Sequence, residues 1–167
     1  MTGATRFLLF AVLLTLTACG FHLRGSSPQD VQFAFKSLYL KAPGETLFVA
    51  GLRRTLNTNG ITLVAAPEQA ELVLEVLSEQ SSKHILSLSG SGRVREYELR
   101  YRVSVRAYDA QRIDWLPADD VQLTRLLTFD DEQLLAKEHE EEQLYKDMRA
   151  DAVAQMVRRL NRAKPRK

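Results

Sequence analysis

The stretch Glu96-Tyr97-Glu98-Leu99-Arg100-Tyr101-Arg102-Val103-Ser104-Val105-Arg106-Ala107 alternates polar and apolar residues along its whole length. Successive side chains of a strand point to opposite faces, so a period of two predicts a β-strand with one face on a core and the other in water. Tyr97, Leu99, Tyr101, Val103, Val105 and Ala107 form the inner row, and Glu96, Glu98, Arg100, Arg102 and Arg106 the wet one. One wet side is the mark of an antiparallel sheet. Upstream, residues 70–80 repeat the pattern more loosely. Leu72, Leu74 and Val76 alternate with Glu71, Glu75 and Glu79, while Val73 and Leu77 blur the outer face. Between the two, residues 81–92 hold Ser81, Ser82, Ser87, Ser89, Ser91, Gly90 and Gly92, a composition that suits a hairpin end. The two strands are therefore expected to pair antiparallel.

Working outward, residues 37–42 read as a short strand with Leu38 and Leu40 on one face, broken by Pro43-Gly44. Residues 45–59 carry Leu47, Phe48, Leu52 and Leu56 on one helical stripe, and Asn59-Gly60 supplies the stop. Downstream, residues 114–120 with Pro117 read as a turn, and residues 121–129 as a strand with Val121, Leu123, Leu127 and Phe129 on a face that Arg125 interrupts. Asp130 then stands as an N-cap with Gln133 in the capping-box position. Leu144, Met148, Ala152, Met156 and Leu160 follow at steps of four, predicting a helix to about Arg162 whose length approaches about 50 Å. The order β-α-β-β-β-α predicts an α+β domain with two helices packed on one face of a four-stranded mixed sheet.

The chain opens differently. Arg6 precedes an apolar and threonine stretch over residues 7–17, of signal-peptide length and too short to span a bilayer comfortably. It ends in Leu16-Thr17-Ala18-Cys19-Gly20, and Cys19 is the single cysteine of the 167 residues. Small residues before a cysteine at this point match a bacterial lipobox. Residues 1–18 are thus expected to be a lipoprotein signal peptide, with Cys19 the new N-terminus bearing an S-diacylglycerol group and an N-acyl chain. Each buried methylene contributes about 0.8 kcal/mol, so several chains hold a protein stably on a membrane. Residues 19–32 mix Gly, Ser, Pro and polar residues as a lipidated tether would. Residues 33–167 are left as one domain with a short basic tail.

Removing residues 1–18 from 167 leaves 149, enough to bury roughly two thirds of the unfolded surface in one core. The whole chain has 23 Lys+Arg against 21 Asp+Glu, and loss of Arg6 leaves 22 against 21. That balance gives no basis for nucleic-acid binding. Charge is instead local. Glu138, Glu140, Glu141 and Glu142 fall in the first half of the last helix, and Arg158, Arg159, Arg162, Lys164, Arg166 and Lys167 at its end. That order complements the helix dipole on a solvated surface; a basic tail touching anionic lipid heads is the alternative.

Catalytic signatures are missing. His22, His84 and His139 have no neighbours at metal-ligand or triad spacing. Gly90-Ser91-Gly92 lacks the lysine of a P-loop and joins two strands instead of opening a helix. The expectation is a protein that is not an enzyme and needs no cofactor beyond the lipid on Cys19.

Two segments carry a family resemblance. Cys19-Gly20-Phe21-His22-Leu23-Arg24, and Leu135-Ala136-Lys137-Glu138 continuing through Leu144-Tyr145-Lys146-Asp147-Met148-Arg149 to Val157-Arg158-Arg159-Leu160, resemble the LptE (RlpB) family of lipopolysaccharide-assembly lipoproteins. The resemblance implies a lipid-anchored outer-membrane protein, facing the periplasm, that plugs the lumen of the large LptD β-barrel and assists its assembly. It also implies lipopolysaccharide binding, because family members place basic residues at the hairpin and at the start of the last helix. Lys137 lies on the helix motif. In the hairpin the nearest cations to Gly90-Ser91-Gly92 are Arg93 and Arg95, which as readily read as solvated strand residues. The competing reading is an accessory or pilot lipoprotein of another envelope lipid-transport or secretion system, with a hydrolase as a remote third.

Overall fold

The alternating stretch lies within the second of three long antiparallel strands. The computed structural model describes residues 33–165, so the expected signal peptide, Cys19 and the tether fall outside the described residues. In chain order the elements are β1 (Ser37–Lys41), α1 (Leu47–Thr58), β2 (Thr62–Leu63), β3 (Leu72–Leu88), β4 (Val94–Tyr108), β5 (Asp114–Thr128) and α2 (Leu134–Arg162). Short 3-10 turns at Pro67–Gln69 and Asp131–Gln133 precede β3 and α2. The sheet runs β2-β1-β3-β4-β5, with β1 parallel to both β2 and β3, and β3, β4 and β5 antiparallel.

The α+β class, the two helices and the mixed sheet match the sequence reading; the strand number does not. The sheet has five strands instead of four, because Thr62–Leu63 pairs with Ser37 and Leu38 where the chain returns from α1. Two residues carry no period of their own, so only the tertiary pairing makes them a strand. Two further boundaries move. β3 continues through the serine-rich segment to Leu88, leaving a tight turn closed by Ser89 N–H on Arg93 O (2.7 Å) and Gly92 N–H on Ser89 O (2.9 Å). Gly92 has φ of 76°, the left-handed conformation this turn requires. Residues 114–120 are strand as well. Pro117 falls at the register shift between the pairs Val105–Asp119 and Ala107–Leu116, where its missing N–H removes no ladder bond.

A bulge shapes β3. Val76 lies opposite Val105 and Ser78 opposite Ser104, so Leu77 is the extra residue and stands 46% exposed. The parity of the strand inverts there. Before it Leu72, Leu74 and Val76 face the core; after it Glu79, Ser81, Lys83 and Ile85 lie opposite the inner residues Val103, Tyr101, Leu99 and Tyr97.

One core unites these elements. Leu99, Tyr101, Val103, Val105 and Ala107 are buried beneath Phe48, Leu52 and Leu56 of α1 and Met148, Ala152, Met156 and Leu160 of α2. Each large aliphatic or aromatic side chain so buried contributes about 1.5–3 kcal/mol. The methionine stripe is therefore core. Arg125, which interrupts the inner row of β5, bonds Asp151 of α2 at 2.6 Å.

The start of α1 is tied to the sheet through one carboxylate. Thr46 caps the helix by accepting from Val49 N–H (3.2 Å), and its hydroxyl donates to Glu79 Oε2 (2.5 Å). Tyr101 donates to the other oxygen of Glu79 at 2.6 Å. Burial, and then this bond, hold the Tyr101 phenol above its ordinary value. A raised phenol stabilises the fold in full below the free phenol's pKa of about 10 and loses that contribution as pH climbs from there toward the folded value. Stability is thus expected to fall more steeply above about pH 10 in the parent than in Tyr101→Phe, read by urea titration at stepped pH. Parallel decline in both proteins would refute the coupling.

Candidate functional site

The predicted cations lie on elements that share one end of the sheet: the β3–β4 turn and the first turns of α2, beside the C-terminal end of β5. Asp130 accepts from Glu132 N–H at 3.1 Å and caps the 3-10 turn, and Gln133 Nε2 lies 3.4 Å from Asp130 Oδ2. Asp130 thus caps this turn and not the long helix as expected; the α-helix begins four residues later, at Leu134, with Gln133 as its N-cap and no side-chain cap bond. This turn swings the chain from β5 into α2 and brings Lys137 back over β5. Lys137 Nζ donates to Thr128 Oγ1 at 3.1 Å and pairs with Glu140 at 2.8 Å, its side chain 16% exposed. Arg93 and Arg95 line a shallow cleft of about 320 Å³ with Phe129, Asp130, Asp131 and Glu132. Arg95 O accepts from Phe129 N–H at 2.8 Å, a backbone bond that holds the start of β4 against the end of β5.

Sequence reasoning missed a fourth cation here. Lys83 faces α2 from β3, pairs with Glu141 at 2.5 Å and sits 4.2 Å from the Tyr97 ring centroid and 5.9 Å from that of Phe129. Those two rings meet edge to face at 5.2 Å. Lys83 falls into register only beyond the Leu77 bulge, which the alternation alone does not reveal. Tyr145 of α2 closes the same seam by donating to Ser82 O at 2.9 Å. Burial, and then the charge of Glu141, raise its phenol above the ordinary value, so it stays neutral and donates.

The same elements also carry exposed aliphatic side chains. Ile85, Leu86, Leu88, Leu126, Leu134 and Leu135 are between 49% and 74% exposed on the same strand ends and helix start. The combination of ammonium and guanidinium groups with exposed aliphatic surface suits an amphiphile with an anionic head.

The sheet face turned away from the helices is a mixed-charge wall, as the alternation implied. Arg100 pairs with Glu98 at 2.5 Å, Arg102 with Asp120 at 3.3 Å, and Arg106 with Asp114 at 2.8 Å. His84 is exposed with Nε2 3.1 Å from Ser82 Oγ, and His139 is exposed on α2. Among the described residues, no three His, Cys, Asp or Glu side chains converge on a metal position, and no helix is long and apolar enough to cross a membrane.

Comparison with known proteins agrees with the motifs. A family model described as LptE, lipopolysaccharide-assembly, matches residues 35–160. The LPS-assembly lipoprotein LptE of Pectobacterium atrosepticum is 31% identical over 162 residues, covering 93% of this chain and 83% of that protein. Its counterpart in Yersinia enterocolitica is 29% identical over 161 residues, covering 92% and 73%. Among solved structures, lipoprotein B from Nitrosomonas europaea has a TM-score of 0.71 at 41% identity, over 83% of this chain and 88% of that one. Rare lipoprotein B from Shewanella oneidensis has a TM-score of 0.66 at 27% identity, over 73% and 91%. In motif, in family match and in fold, this chain belongs to the LptE family.

Proposed function

We propose that this chain is a non-enzymatic outer-membrane lipoprotein, anchored through acyl groups on Cys19, that plugs the LptD β-barrel and binds lipopolysaccharide on its way to the outer leaflet. The observation that supports this reading is that the segments bearing Lys137, Arg93 and Arg95, at the start of α2 and around the start of β4, lie at one end of the sheet and also bear exposed aliphatic residues. Lipopolysaccharide offers phosphates and acidic sugars to such cations and acyl chains to such a rim. The mixed-charge wall supports the plug role. Barrel lumens are polar, and a plug needs hydrogen-bonding groups on its outside instead of apolar ones. Charge pairs such as Arg102–Asp120 and Arg106–Asp114 provide them. The names carried by the Pectobacterium and Yersinia relatives agree with lipopolysaccharide assembly as the process served.

The test is the partner. Membranes extracted with mild detergent, and a tagged copy purified from them, are expected to yield one large β-barrel protein in about equal amount, with lipopolysaccharide retained. Recovery of the tagged chain without a barrel would overturn the plug assignment.

A further inference from the structure

We infer that the C-terminal end of α2 is a lipid-facing surface, on which Arg158, Arg162 and Lys164 meet anionic phospholipid head groups of the membrane that holds the anchor, so that the domain stands with the start of α2 turned away from that membrane. The inference rests on the reading of Cys19 as an acylated anchor and adds an orientation to it.

The point at which the chain enters the domain sets the geometry. Phe33, at the start of the described residues, has its ring 5.3 Å from that of Phe35, and Phe35 meets the Trp115 ring edge to face at 6.1 Å. Trp115 in turn lines an open cleft of about 520 Å³ with Leu116, Arg159, Arg162 and Lys164. The entry point and the end of α2 are thus neighbours. Residues 19–32 number fourteen and can span at most about 50 Å. With 29 residues, α2 is about 44 Å long. Its C-terminal end can therefore rest on the membrane with chain to spare, whereas its far end reaches the membrane only if those fourteen residues are drawn out almost fully along the helix.

Charge divides along the same axis. Residues 158–164 hold four Arg and Lys and no acid, while residues 130–142 hold seven Asp and Glu against one lysine. At the basic end the helix dipole presents only about half a negative charge. Arg159 is already engaged by Asp119 at 2.6 Å and by the Asp120 carbonyl at 3.1 Å. Arg158, Arg162 and Lys164 are exposed and form no ion pair among the described residues. Each Lys or Arg close to an anionic leaflet raises occupancy of its surface about fivefold, so three raise it on the order of a hundredfold. The same leaflet repels the acidic end of α2. Attraction at one end and repulsion at the other orient a domain that an acyl anchor alone leaves free to turn, and they keep the β3–β4 turn and the start of α2 on the water side.

Trp115 is the single tryptophan of the chain and lines the basic cleft, so its fluorescence reports the contact. The acylated full chain is reconstituted in phosphatidylethanolamine vesicles that contain either phosphatidylglycerol or neutral phosphatidylcholine, each with a trace of lipid bearing a nitroxide quencher on its head group. Quenching is expected to be about threefold stronger or more with phosphatidylglycerol. It is expected to drop to the neutral-lipid level in about 1 M salt, where the screening length is about 3 Å. Arg158→Gln, Arg162→Gln and Lys164→Gln together are expected to abolish the difference between the vesicles, and Arg158→Lys with Arg162→Lys to retain it. Equal quenching of the parent in the two vesicle types, or a difference that persists in the glutamine variant, would sink the lipid-facing surface and leave the anchor in place. Failure of the parent to float with either vesicle would remove the anchor reading, and this inference with it.

Discussion

Reversing charge at Lys137, Arg93 and Arg95 together, each to Glu, is expected to cut lipopolysaccharide retention by about a hundredfold or more, on the basis of two or three lost charge-assisted bonds. The fold is expected to survive. Arg93 follows the β3–β4 turn and Arg95 is the second residue of β4, both exposed, and neither side chain forms an ion pair among the described residues. The backbone bonds that hold this corner, Ser89 N–H to Arg93 O and Phe129 N–H to Arg95 O, do not depend on those side chains. Lys137 contributes one hydrogen bond to Thr128 and one ion pair three residues along its helix. Such surface contacts are worth at most about 1 kcal/mol each, so the melting curve should move little while binding is lost. Retention of lipopolysaccharide by the triple variant in a pull-down, with barrel association intact, would remove these residues from the site.

Phe48→Ala is expected to have the largest effect on stability, about 3–5 kcal/mol. Phe48 lies in the first turn of α1 with 0% exposure, facing the sheet. Truncation leaves a cavity where α1 meets the sheet. The cap next to it, Thr46 bonded to both Val49 and Glu79, fixes the helix start and prevents the helix from sinking inward to fill the gap. Domains of this size hold only about 5–15 kcal/mol in all, so the variant is expected to unfold at a distinctly lower urea midpoint with its m-value unchanged. A midpoint matching the parent would mean that the core here is not packed as described.

The parts of this fold visible from sequence are those where one residue pattern runs unbroken over a whole element. β4 is one case, with its twelve alternating residues, and α2 the other, with apolar side chains at steps of four. What stayed hidden depends on contacts between distant residues. β2 exists only because Thr62 and Leu63 meet β1. The early half of β5 was concealed because its turn contains no glycine or proline: Asp109 closes it by accepting from Gln111 and Ile113 N–H and from Trp115 Nε1, and Arg112 takes φ of 63°. The candidate site divides in the same way. Lys137 was legible from the family motif, and Arg93 and Arg95 from their closeness to the hairpin. Lys83 was not, since a bulge at Leu77 decides which side of β3 it occupies.

The outer margin of β5 bears on whether a second copy could extend the sheet. Phe129 N–H is turned toward β4, so the even-numbered residues of this stretch offer their backbone groups to the open side. Fifteen residues of bare margin would template another strand and seed aggregation. Several of those groups are already occupied from within the chain: Asp120 N–H by Asp119 Oδ1, Asp120 O by Arg159, and Thr124 O by Arg125. Pro117 adds a position with no donor at the near end. Side chains thus blunt the margin one backbone group at a time, which lets the sheet keep its full length without inviting a second copy to extend it.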